Sequence, residues 1–142
     1  MSTDAGPEAV PAALLDNLVL TSFTVIALLS RTAAEHDMSL TQLRMLAILR
    51  DRTPAMADLA AFLGLERSSV SGLIDRAARR GLVQRVASSD DGRSVQVSLT
   101  GDGHRLAAQV ASEVAALVAP LTGALSPAEQ KRLTHLLGKM LG

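Results

Sequence analysis

The hydrophobic positions in the middle of the chain predict an amphipathic helix from Glu66 to Arg80, ended by Gly81. Its apolar stripe has the i, i+3, i+4, i+7 spacing of one helix face and consists of Val70, Leu73, Ile74 and Ala77. The opposite face is small and polar, with Ser68, Gly72, Asp75 and Arg79 at its centre and Ser71 and Arg76 on its flanks. We expect the stripe to pack inward and to leave the polar face exposed.

A glycine lies in the middle of this polar face, at Gly72. Inside a helix, glycine costs roughly 0.5–1 kcal/mol relative to alanine. Its position on the exposed side indicates that another surface comes close to the backbone there. Simple tolerance of the glycine is an alternative of equal weight.

The pattern changes to alternation after this helix, which predicts a β-hairpin. The alternating apolar positions are Val95, Val97 and Leu99, separated by Gln96 and Ser98. Asp91-Gly92 is a strong two-residue turn signal, and Arg93 lies beside it. A helix with a small polar face, followed by a hairpin with an arginine near its tip, fits a winged helix-turn-helix. Such a helix enters a major groove of DNA, and the wing offers its arginine to the minor groove.

Two shorter helices are predicted upstream of the Glu66–Arg80 helix, which we call the reading helix. Thr41 is the expected N-cap of the first, and residues 51–54 end it. The second runs from Ala55 to Leu63 and ends at Gly64, so that a tight turn leads into the reading helix. The expected core of this helix-turn-helix consists of Leu59, Leu63, Leu65, Val70 and Ile74, with Ala60 allowing a close crossing.

Apolar helices are predicted at both ends of the chain. The first runs from Ala12 to about Arg31, and its uncharged part of 14 residues is shorter than the roughly 20 residues of a membrane span, which favours a buried helix and no membrane partner. A long helix begins at Thr100, and Ser126 begins a capping box for the last helix. Both ends carry more apolar surface than one small core can cover, which predicts a homodimer.

The predicted fold class is therefore mainly α with a small β-hairpin wing, a winged helix-turn-helix flanked by N- and C-terminal dimerisation helices. The expected regions are a flexible arm at 1–11, an N-terminal dimerisation helix at 12–38, a DNA-binding region at 39–100 and C-terminal dimerisation helices at 101–142.

The amino-acid composition excludes several kinds of site and function. The chain has no cysteine, which excludes disulfides, thiolate zinc sites and thiol redox sensing, and suits a cytoplasmic location. Phe23 and Phe62 are its only aromatic residues, so stacking on single-stranded bases is poorly provided for. The net charge is zero, but residues 41–100 carry nine arginines against six acidic residues, a surplus of three positive charges. This surplus lies where phosphate contacts are expected.

The sequence resembles the MarR family of bacterial transcription regulators. The wing carries the family signature R-x-x-S-x-x-D-x-R … L-T-x-x-G at Arg85, Ser88, Asp91, Arg93, Leu99, Thr100 and Gly103. Upstream, Leu40-Thr41, Leu59-Ala60, Ser69-Val70-Ser71, Leu73-Ile74-Asp75-Arg76 and Gly81-Leu82-Val83 also agree. The sequence departs from the family at Gly92, where a basic residue is frequent, and at Ala77, where leucine is usual.

The resemblance implies a homodimeric regulator, expected to be a repressor, that binds a palindromic operator in double-stranded DNA. A small-molecule effector often releases such regulators, and its pocket is expected between the first, second and long fifth helices, lined by Leu, Ala, Val and Met. No cofactor and no catalytic residue is expected. The predicted DNA-binding residues are Thr41, Arg67, Ser68, Ser69, Ser71, Gly72, Arg76, Asp91 and Arg93. Asp91 and Asp75 are expected to orient arginines rather than to touch the anionic DNA.

Two alternatives remain open. The first is a winged-helix dimer that acts in protein interaction and has lost operator binding. The second is a metal-sensing regulator, for which His36 with Glu35 and Asp37, and His104 with Asp102, would supply ligands. Because the chain has neither a His-x-x-x-His pair nor a cysteine, no metal site is predicted. Asp102, His104 and a serine do not form a predicted triad either, since no nucleophile elbow accompanies them.

Arg93→Ala is expected to weaken operator binding and to flatten its dependence on salt, while the melting temperature stays unchanged because a hairpin tip buries little surface. One phosphate contact contributes about 0.9 to the logarithmic salt slope, so two wings per dimer account for up to roughly 1.8. If Arg93 reads groove width instead, the loss is larger on A·T-rich flanks than on G·C-rich ones. Duplex affinity measured over a range of salt checks this, and an unchanged affinity and slope would favour the protein-interaction alternative.

Overall fold

The computed structural model describes residues 8–88 and 94–142. The elements of this part of the chain are α1 (Ala12–Glu35), α2 (Leu40–Asp51), α3 (Met56–Leu63), α4 (Arg67–Arg79), β1 (Val83–Ala87), β2 (Val95–Leu99), α5 (Gly101–Thr122) and α6 (Pro127–Leu141). The predicted fold class is confirmed: a helical chain with one antiparallel hairpin after the fourth helix. The predictions for the hairpin tip, Asp91, Gly92 and Arg93, and for the first seven residues of the arm lie outside the described residues.

Helices α3 and α4 form the predicted helix-turn-helix. Gly64 ends α3 with a φ of 65°, and the N–H of Leu65 donates to the carbonyl of Ala60 at 3.0 Å. The predicted core residues Leu59, Ala60, Leu63, Val70 and Ile74 are buried. Leu65 was wrongly placed in this core, since its side chain is 36% exposed. It lies in the turn between the two helices, and so belongs to neither inward-facing stripe.

The start of α2 also differs from the prediction. Its N-cap is Ser39 and not Thr41. The Ser39 hydroxyl accepts from the N–H of Gln42 at 3.1 Å, and the Gln42 side chain accepts from the N–H of Ser39 at 3.0 Å. This reciprocal capping box satisfies two backbone donors, whereas a cap at Thr41 would satisfy one. Thr41 therefore lies in the first turn of α2, half-buried.

The hairpin packs against the helices through one side. Its register pairs Val83 with Leu99 and Ala87 with Val95. Val97 is fully buried and Leu99 is nearly so, while Val95, farther from the helices, is 41% exposed. The N–H of Val97 donates to the carbonyl of Pro54 at 2.9 Å, which joins the hairpin to the segment between α2 and α3. The base of the wing is thus part of the folded unit.

A single hydrophobic core joins the helix-turn-helix to the C-terminal end of α1 and the N-terminal half of α5. It contains residues from every element except α6, including Ala33, Met45, Leu59, Val70, Ile74, Val97, Ala107 and Val110. The N-terminal part of α1, the C-terminal end of α5 and the whole of α6 lie outside this core. Large apolar side chains are exposed there on α1 (Leu14, Leu15, Leu18, Val19, Leu20, Phe23 and Ile26), at Leu121 of α5 and on α6 (Leu133, Leu136, Leu137, Met140 and Leu141).

Helix α1 is longer than predicted and continues by one turn past Arg31 to Glu35. It has 24 residues, and its most apolar 18-residue window has a mean hydropathy of 1.9, so it is long and apolar enough to cross a membrane. That window is not buried within the chain. Helices α5 and α6 reach the same criterion only as a pair, and they are bent by 114° at the break between them. The expectation of a buried first helix is therefore not met within one chain, and its apolar faces require another surface.

A tight corner around Gly103 holds the end of the hairpin, the end of α4 and the start of α5 together. Thr100 caps α5 by accepting from the N–H of Gly103 at 3.0 Å. The Thr100 hydroxyl also donates to the carbonyl of Gly81 at 2.6 Å, and its N–H donates to the carbonyl of Leu82 at 3.0 Å. A Cβ on Gly103 would lie 2.0 Å from that Leu82 oxygen. The Thr and Gly of the family signature thus serve this backbone crossing.

Gly103→Ala is expected to lower the free energy of unfolding by about 1–3 kcal/mol, because backbone atoms must move to admit the methyl group. Gly101→Ala, two residues earlier, is the control: its Cβ would meet only the flexible side chain of Arg105, at 3.5 Å. Thermal or urea unfolding of both variants checks the prediction. Equal stability of the two would show that the corner relaxes freely.

Candidate nucleic-acid interface

The polar face of α4 is turned to solvent because the apolar stripe of the same helix is fixed in the core. Val70 and Ile74 are fully buried, and Leu73 and Ala77 are nearly so. The predicted contact residues Arg67, Ser68 and Ser69 form an exposed first turn, and Ser71 and Gly72 follow half-buried. Asp75 and Arg76 are exposed one turn later. One side of α4 therefore presents short polar side chains before a band of charge.

Among the residues that the structure describes, Gly72 has no close neighbour that would require a glycine. A Cβ at this position would meet only Nη1 of Arg76 within the described chain, at an ordinary 3.6 Å. The absence of a side chain leaves the backbone of α4 bare in the middle of its outward face. A second molecule can approach closely there.

Asp75 is paired with an arginine, as the sequence predicts. Nη2 of Arg85 on β1 donates to Oδ1 of Asp75 at 2.6 Å, and both side chains are partly exposed. An exposed ion pair of this kind contributes little to stability. Its effect is geometric, because it joins the outward face of the reading helix to the first strand of the wing. It also neutralises a carboxylate that would otherwise repel phosphates.

Three arginines near the end of α4 meet the start of α2 across an open cleft of about 430 Å³. The cleft is lined by Asp37, Ser39, Gln42, Arg76, Arg79 and Arg80. Of these, only Arg76 was predicted as a DNA contact. The predicted contact Thr41 lies on the first turn of α2, directly before the lining residue Gln42. The pair Arg79-Arg80 before Gly81 is the sequence signal for the added charge, but only the crossing of α2 and α4 places it next to Gln42.

A second cavity, of about 190 Å³, lies between α1, α2 and α5, as predicted for an effector pocket. Its apolar lining consists of Leu29, Leu43, Leu46, Ala47, Ala107, Val110, Ala111 and Val114. The predicted methionine does not line it. Arg50 and Asp51, at the end of α2, do line it and were not predicted. Arg50 and Asp51 are the last two residues of α2. Their position in the sequence shows that they end a helix, but it does not show that α1 and α5 pack beside them.

His36 is bonded to α5 and not to the acids next to it in sequence. Its Nε2 lies 2.7 Å from Oε2 of Glu113, and Gln109 donates to the other oxygen of that carboxylate at 3.2 Å. The hydrogen bond from His36 holds the pKa of the Glu113 carboxyl below its usual value. Asp102 is bonded to Arg105. Among the described residues, no group of three or more His, Cys, Asp or Glu is placed to hold a metal ion.

The sequence also matches known proteins. A profile described as the MarR family matches residues 36–94. YfiV, an uncharacterized HTH-type transcriptional regulator of Bacillus subtilis, is 37% identical over 71 residues, which are 49% of this chain and 44% of YfiV. The chain thus spans less than half the length of that relative. The homoprotocatechuate degradative operon repressor of Escherichia coli is 28% identical over 131 residues, which cover 84% of this chain and 88% of the repressor.

Solved structures agree over nearly the whole chain. Wild-type MarR of Escherichia coli in its apo form is similar with a TM-score of 0.74 and 26% identity, covering 96% of this chain and 100% of MarR. A mutant of the same protein in complex with operator DNA gives a TM-score of 0.71 and 25% identity, covering 92% of this chain and 95% of that one. Together with the wing signature and the fold, these matches show that the chain is similar to the MarR family of transcription regulators.

Proposed function

We propose that this protein is a homodimeric, cytoplasmic transcription repressor that binds a palindromic operator in double-stranded DNA. In this proposal α4 enters the major groove, the β1–β2 hairpin reaches the neighbouring minor groove, and a small molecule releases the complex. The protein is a regulator and not an enzyme. The observation that carries the proposal is the outward face of α4, where small polar residues surround a bare glycine beside a wing that is bonded to the same face.

The geometry of α4 suits a major groove. A helix of 13 residues is about 20 Å long, and B-DNA admits a helix into its major groove and not into its minor groove. Ser68, Ser69 and Ser71 can bond to base edges or phosphates, and Arg67 and Arg76 lie where phosphates flank the groove. Thr41 is proposed as a phosphate contact from the start of α2. Asp91 and Arg93 complete the proposed set from the wing.

The related proteins also support operator binding and repression. A mutant of MarR has been solved with operator DNA, and the relative that covers most of this chain is an operon repressor. We carry both properties to this chain as part of the proposal.

The dimer is supported by the exposed apolar residues of the terminal helices. Leu20 and Phe23 of α1 are 63% and 66% exposed, and Met140 of α6 is 61% exposed. A soluble monomer rarely exposes an apolar surface of this extent. A second copy would bring the same two helices and cover both surfaces with isologous contacts.

The cavity between α1, α2 and α5 is the proposed effector site. Its lining is apolar apart from Arg50 and Asp51. At about 190 Å³, it is below the usual size of drug-binding pockets, roughly 300–1,000 Å³. The proposed effector is therefore a small and mostly apolar molecule.

We expect a single species of twice the 14.8 kDa chain in sedimentation at micromolar concentration. Replacing Leu133 and Leu137 of α6 by glutamate should shift this species toward the monomer, because charges would enter the proposed interface. A folded monomeric wild-type protein would contradict the homodimer.

Ser68→Asp is expected to reduce affinity for a palindromic duplex, selected by the wild-type protein from a randomised pool, by about tenfold or more, since a lost contact per half-site costs roughly 1–3 kcal/mol. The helix itself should gain stability, because an acidic residue in the first turn interacts favourably with the helix dipole. Fluorescence anisotropy over a range of salt concentrations measures the effect.

Ala128→Asp is the matched control for this variant. It adds the same charge to an exposed first-turn position, but on α6. We expect it to leave the duplex affinity close to that of the wild type. Equal losses in the two variants, or salt-independent binding by the wild type, would contradict DNA reading by α4 and would favour a winged-helix dimer that acts in protein interaction.

A further inference from the structure

The corner between α1 and α2, formed by His36, Asp37 and Met38, is hydrogen-bonded to both the reading helix and α5. In the corner, the N–H groups of His36 and Met38 both donate to the carbonyl of Ala33, at 3.0 and 2.9 Å. Asp37 has a φ of 54°, a left-handed conformation that is uncommon outside glycine. This turn leaves the carbonyls of His36 and Asp37 available to a partner outside α1.

Arg80, the C-cap of α4, is that partner. Its Nη2 donates to the carbonyl of His36 at 2.9 Å, and its Nη1 donates to the carbonyl of Asp37 at 3.2 Å. The planar guanidinium fixes two acceptors at once, which a single ammonium group would do less well. The end of the reading helix is thereby held to the end of α1.

The same corner is fastened to α5 by the side chain of His36. Its bond to Glu113 spans 77 positions of sequence, and the side chain of His36 is only 16% exposed. Arg80, His36 and Glu113 therefore form a continuous polar link from α4, through the corner, to the middle of α5. We call these three residues the corner link.

Hydrophobic packing is incomplete beside the corner link, because Val114, the residue after Glu113, lines a cavity. The cavity of about 190 Å³ separates α1, α2 and α5 just where the terminal helices join the helix-turn-helix. A void removes packing contacts from the side chains around it, so the junction resists tilting less than a filled core would. Directional bonds at the corner then add a second attachment of α4 to the terminal helices, besides the backbone contact at Gly103.

We propose that the corner link sets the orientation of the reading helix relative to the terminal helices, and hence the separation of the two reading helices in the dimer. Arg80, His36 and Glu113 act as positioning residues for DNA recognition without touching the DNA. The inference rests on the proposed homodimer. It requires no operator binding for its central test, because the separation of the two reading helices exists in the free dimer.

Arg80→Gln and Glu113→Ala break the two halves of the link independently. Because the chain has no cysteine, Glu66→Cys gives one spin-label position per subunit, at the N-cap of α4, where the native side chain makes no capping bond. Pulsed electron double resonance on the free full-length dimer then measures the distance between the two labels. We expect each variant to shift or broaden this distance by on the order of 2 Å or more, the scale of helix shifts in switching proteins.

Two controls match these changes. Arg79→Gln removes the same charge one residue away, where the side chain donates to the carbonyl of Asp75 within α4. Gln109→Ala removes the second donor to Glu113 and leaves its bond to His36. Both controls should retain the wild-type distance. Unfolding curves for all variants separate loss of orientation from loss of stability. Wild-type distance distributions in both Arg80→Gln and Glu113→Ala would overturn the proposal.

Duplexes with one base pair inserted between the half-sites provide the second readout. A reoriented pair of helices should change the ratio of affinities for the original and lengthened duplexes by about fivefold or more, the lower range of coupling between sites. Arg79→Gln should lower both affinities alike, since a lost charge does not depend on spacing. A dimer whose labels move but which binds no duplex would support the corner link and refute the proposed function. Unchanged ratios and distances with intact duplex binding would refute the corner link alone.

Discussion

The burial of the apolar stripe of α4 determines which face of this helix is exposed to solvent. Val70 and Ile74 are fully buried where α4 packs against α3 and β1, and this fixes the rotation of α4 about its own axis. A helix rotated by one residue would expose leucine and isoleucine and bury arginine, at a cost of several kcal/mol. The small polar face is therefore presented outward as a consequence of core packing. The proposed DNA recognition and the stability of the core therefore depend on the same 13 residues.

The hairpin and α5 are joined by a close backbone crossing as well as by side-chain packing. Leu82 and Gly103 approach so closely that a single methyl group would collide with a carbonyl oxygen. Thr100 satisfies donors and acceptors on both sides of this crossing. The end of the reading helix, the base of the wing and the start of the long helix consequently share one fixed corner.

The terminal helices have a different physical character. Their apolar side chains are exposed in the single chain, and the polar interactions within them are local caps and i, i+4 pairs such as Arg31 with Glu35. Helix α6 begins with a complete capping box at Ser126 and Glu129, and the bonds from Ser126 lower the pKa of the Glu129 carboxyl. Its helical structure is thus specified locally, while the placement of its apolar face depends on a surface outside the chain.

The helices and strands could be predicted from the sequence, because their signals are local. The stripe of α4, the alternation of β2 and the box at Ser126 depend on residues within a few positions of one another, and each agrees with the structure. Local competition explains the errors: Ser39 with Gln42 outweighs Thr41 as a cap, and the turn after α3 removes Leu65 from the core. The long-range pairs became visible in the folded chain alone. The bonds of His36 to Glu113 and of Arg80 to the corner carbonyls join residues more than 40 positions apart. No periodicity encodes such partners, since their approach depends on how α1, α4 and α5 cross.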